Sequence, residues 1–139
     1  MTTIEEALEG SSPLALKVRA GGPYRSADEL IATMRAVLPS LTENEKIATL
    51  NAHPRIGEDA QRLSARSLKE QGADQLADLS RLNADYERRF GFRFVVFVNR
   101  RPKSEILEIL RQRLMRARAE ELETGLQAIV DIAADRLRS

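Results

Sequence analysis

One strand-like run, FRFVVFV at residues 92–98, stands alone in this chain, with no second run to pair with it. Its β-branched and aromatic residues favour extended backbone. A strand without a partner, however, leaves its ladder groups unpaired. The run is therefore expected as a buried extended connection, and the rest of the chain must be helical. The punctuation agrees. TIEE (Thr3–Glu6), SADE (Ser26–Glu29) and TENE (Thr42–Glu45) share the Ser/Thr-x-x-Glu spacing of a capping box, in which each end satisfies a backbone N–H near the other. Each opens a stretch with apolar residues three and four apart. GGPYRS at 21–26 and LPS at 38–40 interrupt the helices. A longer helix is expected over much of Ser67–Arg89, stopping at Gly91. SEILEILRQRL from Ser104 turns Ile106, Leu107, Leu110 and Leu114 to one face, and the last stretch aligns Leu122, Leu126, Ile129 and Ala133. No repeat or low-complexity linker divides the 139 residues. The expected architecture is all-α: one multi-helix domain over residues 1–139, with a buried extended segment near 92–98.

Composition narrows the chemistry. The chain has no Cys and one His. This excludes disulfides and thiolate nucleophiles and leaves almost nothing soft for a transition metal; a carboxylate site for a hard cation stays open, but no loop is patterned for one. Lys plus Arg number 22 and Asp plus Glu 21, a balance that makes a poor nucleic-acid surface. Two Tyr, four Phe and no Trp make a poor base-stacking platform. The longest apolar run, FVVFV at 94–98, is far too short to span a bilayer. The N-terminal MTTIEEALEG is acidic and lacks a signal-peptide pattern, so a cytoplasmic location is expected.

The lone histidine lies in NAHPRIG, residues 51–57. A residue before proline is pushed towards extended geometry. The helix opening near Glu43 should thus end at Ala52 or His53, leaving the imidazole on a stiff corner between Pro54 and the end of that helix. Two readings are open. His53 is either a helix C-cap, suited to the negative dipole end, or an acid/base group on a rigid corner. In SLKEQ, Ser67, Glu70 and Gln71 stand at i, i+3 and i+4 and share one helical face. They offer a hydroxyl, a carboxylate and an amide together, or merely another capping box. Arg136 falls at the edge of the last apolar stripe, where it presents a guanidinium to a cleft or simply complements the helix dipole.

Taken in order, AHPRIG, SLKEQ, RLNADYERRFGFRFVVFV, KSEILEILRQRL and IVDIAADRL resemble the OHCU decarboxylases, from about Ser26 to the C-terminus. These act in urate catabolism on 2-oxo-4-hydroxy-4-carboxy-5-ureidoimidazoline (OHCU). The resemblance implies an all-helical, cofactor-free enzyme, usually a homodimer, yielding (S)-allantoin and carbon dioxide. It implies that His53 is the essential histidine, with Pro54 setting its corner. Ser67, Glu70 and Gln71 then correspond to the polar substrate contacts, with Glu70 also orienting His53 and favouring its protonated form. Arg136 corresponds to the substrate-binding arginine. Phe94, Val95 and Val96 correspond to the apolar segment that lines the pocket and offers backbone groups. Three departures bear on the pocket wall: GADQLADLS at 72–80 replaces a longer stretch, the family's Trp before Arg-Pro-Phe is missing, and Arg93 stands where Phe-Gly-Phe-Pro-Phe has its Pro.

Such a substrate can lose carbon dioxide into its own unsaturated C–N system, so no metal or pyridoxal sink is needed. Competing readings are a paralogue acting on a related ureido compound and a non-catalytic helical dimerisation module. The module does not require His53, Glu70 and Arg136 to converge.

Overall fold

The computed structural model describes residues 3–56 and 73–139, the side chains of residues 73–76 excepted. Ser67, Glu70, Gln71 and the expected start of the long helix lie outside the described residues. Among those described, seven α-helices occur: α1 Ile4–Ala7, α2 Pro13–Ala20, α3 Ala27–Val37, α4 Glu43–Ala52, α5 Ala73–Phe90, α6 Lys103–Arg113 and α7 Arg118–Arg138. A single 3₁₀ turn, Leu38–Ser40, follows α3 at the expected LPS break. No strand is found among the described residues, and no helix there is long and apolar enough to cross a membrane.

The caps form where the spacing places them, though not all in the same way. Thr42 is fully reciprocal: its hydroxyl accepts from the Glu45 N–H, and the Glu45 carboxylate accepts from the Thr42 N–H. Ser26 accepts from the Glu29 N–H, but Glu29 reaches past it to the Arg25 N–H. Thr3 caps α1 through the Glu6 N–H. α2 uses a different start, with Ser12 as cap and Pro13 in the first turn, where a missing N–H costs nothing.

α7 is the element around which the others gather. Its stripe of Leu122, Leu126, Ile129 and Ala133 is buried, and it packs against α1, α3 and α4. Gly125 lets α4 approach closely: a Cβ there would meet Leu50 Cδ2 at 2.9 Å. The C-terminal end of α4, which carries His53, is thereby fixed against the core. On α6, Ile106, Leu107 and Leu110 are buried as expected, and Leu114 is half-buried against the same core.

Gly91, at φ +83°, ends α5 in the left-handed region and turns the chain into the extended segment. Phe92, Phe94 and Val95 are buried. Tyr86, Phe90, Phe92 and Phe94 make one aromatic cluster, with the Tyr86 and Phe94 rings 5.2 Å apart edge to face. Among the described residues the segment has no strand partner; a side chain holds it instead. Arg113 Nη1 donates to the Val95 carbonyl at 2.8 Å, and its guanidinium lies 4.6 Å from the Phe94 ring centroid. Arg113 Nε donates at 2.7 Å to Glu121, whose carboxylate is fully buried. Glu121 also accepts from Tyr86 Oη at 2.6 Å and from Arg116 Nη1 at 3.0 Å. Burial and the bond to Glu121 push the Tyr86 phenol well above its ordinary pKa, so it remains a neutral donor.

Replacing Glu121 by Ala leaves the Arg113 guanidinium buried without its carboxylate. Urea denaturation should show a loss of about 3–5 kcal/mol, the usual cost of removing one partner from a buried pair.

Candidate active site

Why the imidazole stands where it does follows from Pro54. α4 stops at Ala52, and His53 adopts extended angles, φ −79° and ψ 137°, as a pre-proline residue must. Its N–H still bonds to the Leu50 carbonyl at 3.2 Å. The two readings of His53 are therefore compatible, because its backbone caps α4 while its side chain faces charged groups from elsewhere. The corner is held from two sides. Arg93 donates its backbone N–H to Asn51 Oδ1 and its Nη1 to the His53 carbonyl, both at 3.0 Å. From α5, Glu87 makes a two-pronged bond with Arg55, at 2.8 and 3.0 Å, and Asn83 donates to the Ile56 carbonyl at 3.0 Å. Pro54 itself is exposed.

Three described charged side chains surround the imidazole. Glu9 Oε1, from the turn after α1, is 3.8 Å from His53 Nδ1. The same oxygen is 3.9 Å from Arg136 Nη1. Arg136 also donates to the carbonyls of Ala7, at 3.1 Å, and Glu6, at 3.4 Å, so it caps the C-terminal end of α1. Arg93 completes the set. Burial, then the charges of Arg136 and Arg93, push the His53 pKa down from 6.5 to about 4. The Glu9 carboxylate favours the imidazolium, but desolvation and two guanidinium groups outweigh it. Among the described residues the surroundings favour neutral imidazole; Glu70, the group expected to favour the protonated form, lies outside them. The group is a proton acceptor at neutral pH.

Glu9 thus brings His53 and Arg136 together, Pro54 follows His53 at the corner, and Arg93 ties the extended segment to it. Phe94 and Val95 have a different role from pocket lining by side chain. Both are core residues, and the Val95 carbonyl is taken by Arg113. What they can offer a ligand is backbone N–H, since those of Phe94, Val95 and Val96 have no acceptor among the described residues. Val96 is half-buried. An open groove of about 220 Å³ borders the corner, lined by Asn51, Arg55, Glu87, Gly91, Phe92 and Arg93. No group of three His, Cys, Asp or Glu among the described residues could hold a metal ion. Sequence reasoning missed Glu9: it lies in EGSSP, a turn with no spacing that links it to residue 53.

The family model for OHCU decarboxylase matches residues 1–138. The chain belongs to the OHCU decarboxylase family. The match includes the N-terminal turn with Glu9, upstream of the region where the motifs begin. Among its relatives, the 2-oxo-4-hydroxy-4-carboxy-5-ureidoimidazoline decarboxylase of Haloferax volcanii is 31% identical over 140 residues, covering 95% of this chain and 83% of its own. The corresponding protein of Amia calva is 31% identical over 147 residues, covering 98% and 84%. A crystal structure of OHCU decarboxylase in the presence of (S)-allantoin shares the fold, with a TM-score of 0.74 at 25% identity over 96% of this chain and 92% of that one. In this member of the OHCU decarboxylases, the His53 corner rests on helix ends and an extended segment without a sheet.

The depressed His53 pKa makes stability depend on pH. Between about 4 and 6.5 the unfolded chain binds the proton that the folded one refuses. Stability is therefore complete above pH 6.5 and is lost as pH falls towards 4. The full shift corresponds to roughly 3 kcal/mol. Urea titrations at pH 7 and pH 4.5 should show a destabilisation at the lower pH that is smaller in His53→Asn.

Proposed function

We propose that this chain converts 2-oxo-4-hydroxy-4-carboxy-5-ureidoimidazoline to (S)-allantoin and carbon dioxide without a cofactor, in the cytoplasm and as a homodimer. The relatives' names and the matching family model support the reaction class. The observation that carries the reading is local: a mostly buried, neutral imidazole faces Arg136 and Arg93. A dimerisation module has no need to bring His53, Glu9 and Arg136 together within 4 Å contacts.

The chemistry suits these groups. Carbon 4 of the substrate carries the hydroxyl and the carboxylate, and carbon 5, which carries the ureido group, is doubly bonded to a ring nitrogen. When the bond to the carboxylate breaks, its electron pair forms a double bond between carbons 4 and 5. The displaced pair goes to the ring nitrogen, which takes up a proton. The resulting enol then loses its hydroxyl proton and gains a proton at carbon 5. In this reading neutral His53 accepts the hydroxyl proton, a role open to a base that is unprotonated at the working pH. Arg136 binds the anionic substrate and stabilises developing charge. The N–H groups of residues 94–96, which have no acceptor among the described residues, hold ring or ureido oxygens. Ser67, Glu70 and Gln71, on the segment outside the described residues, complete the polar contacts, and Pro54 keeps the imidazole in place. Protonation from one side of the held ring gives a single enantiomer.

The test is a circular-dichroism time course in which urate is oxidised and its hydroxyisourate hydrolysed in the cuvette, so that fresh substrate forms. Adding the protein should give a rapid (S)-allantoin signal. His53→Asn should lower turnover by about 10² or more, and Arg136→Ala should raise KM. No signal above spontaneous decay would refute the assignment.

A further inference from the structure

A neutral imidazole is one of two isomers, and only one of them leaves a given nitrogen free to take a proton. The chain contains a single acidic side chain positioned to choose between them among its described residues: Glu9, 3.8 Å from Nδ1. We propose that Glu9 is the positioning residue that holds His53 with its proton on Nδ1 and so exposes Nε2 as the bare, basic nitrogen. The consequence for turnover rests on the decarboxylase reading; the tautomer itself does not.

Several features place Glu9 for this task. Its carboxylate can only accept from an uncharged ring, so it favours whichever nitrogen facing it bears hydrogen. The other charged groups facing His53, Arg136 and Arg93, are donors only, so neither can accept a ring N–H as Glu9 can. Arg93 is also committed to the His53 backbone carbonyl. Glu9 is itself located by the end of α1. Ala7 and Leu8 are buried there, and Arg136 binds both the Ala7 carbonyl and the Glu9 carboxylate. The side chain therefore hangs from a rigid turn, braced by the last helix. The separation is longer than a formed hydrogen bond, but such bonds commonly tighten only in the substrate complex.

The lone histidine makes the test direct. Long-range ¹H–¹⁵N spectra of protein labelled at histidine report on His53 alone, at pH 7 and without any substrate. The wild-type protein should show the Nδ1–H form. Glu9→Ala should lose that preference, whereas Glu9→Gln, which retains an acceptor, should keep it. In the decarboxylation assay Glu9→Ala should reduce kcat by about tenfold or more, with a smaller change in KM, as expected when a base loses the partner that sets its tautomer. An Nε2–H tautomer in the wild-type protein, or an unchanged tautomer in Glu9→Ala, would overturn the proposal. Failure of the wild-type protein to turn over OHCU, with the Nδ1–H form present, would overturn the decarboxylase reading and leave the tautomer assignment standing.

Discussion

The Glu121 carboxylate is fully buried, and much of the site hangs from it. A charge in that position persists only because its oxygens accept from Tyr86, Arg113 and Arg116. Arg113, fixed at Nε, spends its Nη1 on the Val95 carbonyl and lies over Phe94. A desolvated contact of that kind adds about 2 kcal/mol. It also offsets the buried Nη2, which has no hydrogen-bond partner among the described residues. The extended segment is thereby anchored where a sheet would otherwise be required. One residue before Phe94, Arg93 binds Asn51 and the His53 carbonyl. The chain of contacts thus runs from a carboxylate on α7, through α6 and the extended segment, to the corner that carries the imidazole.

The electrostatics at that corner are those of a receptor for anions. Two guanidinium groups lie near an imidazole that burial keeps uncharged, and one carboxylate lies between the ring and Arg136. Positive charge beside a neutral base serves two ends at once. It attracts an anionic substrate, and it holds the base in its proton-accepting form. Arg93 occupies a position where the family motif has proline, so this chain adds a charge and a backbone staple together.

Most of the fold was legible because helices announce themselves locally. Ser26 and Thr42 open their helices as the spacing says, Gly91 stops α5, and the stripes on α6 and α7 are buried as read. The run at 92–98 was read correctly as an extended connection, but not its anchor: no local spacing singles out Arg113. The site was half legible. His53 announced itself by standing alone before proline, and Arg136 by its place at the edge of a stripe. Glu9 was invisible, since its proximity to His53 depends on how α1 packs on α7, a long-range contact that no local spacing encodes. The depressed pKa of His53 could not be read from the sequence for the same reason, because burial and neighbouring charge are properties of the packed molecule.

In the proposed reaction His53, as a neutral base, directs loss of carbon dioxide and delivery of one proton to one face of the ring. The most direct measurement is the reaction run in D₂O, with the allantoin analysed at early times for enantiomer and for deuterium. The expected product is (S)-allantoin carrying one deuterium at the carbon that bears the ureido group, formed far faster than with His53→Asn. Racemic allantoin, or (S)-allantoin formed at the same rate without the imidazole, would contradict it.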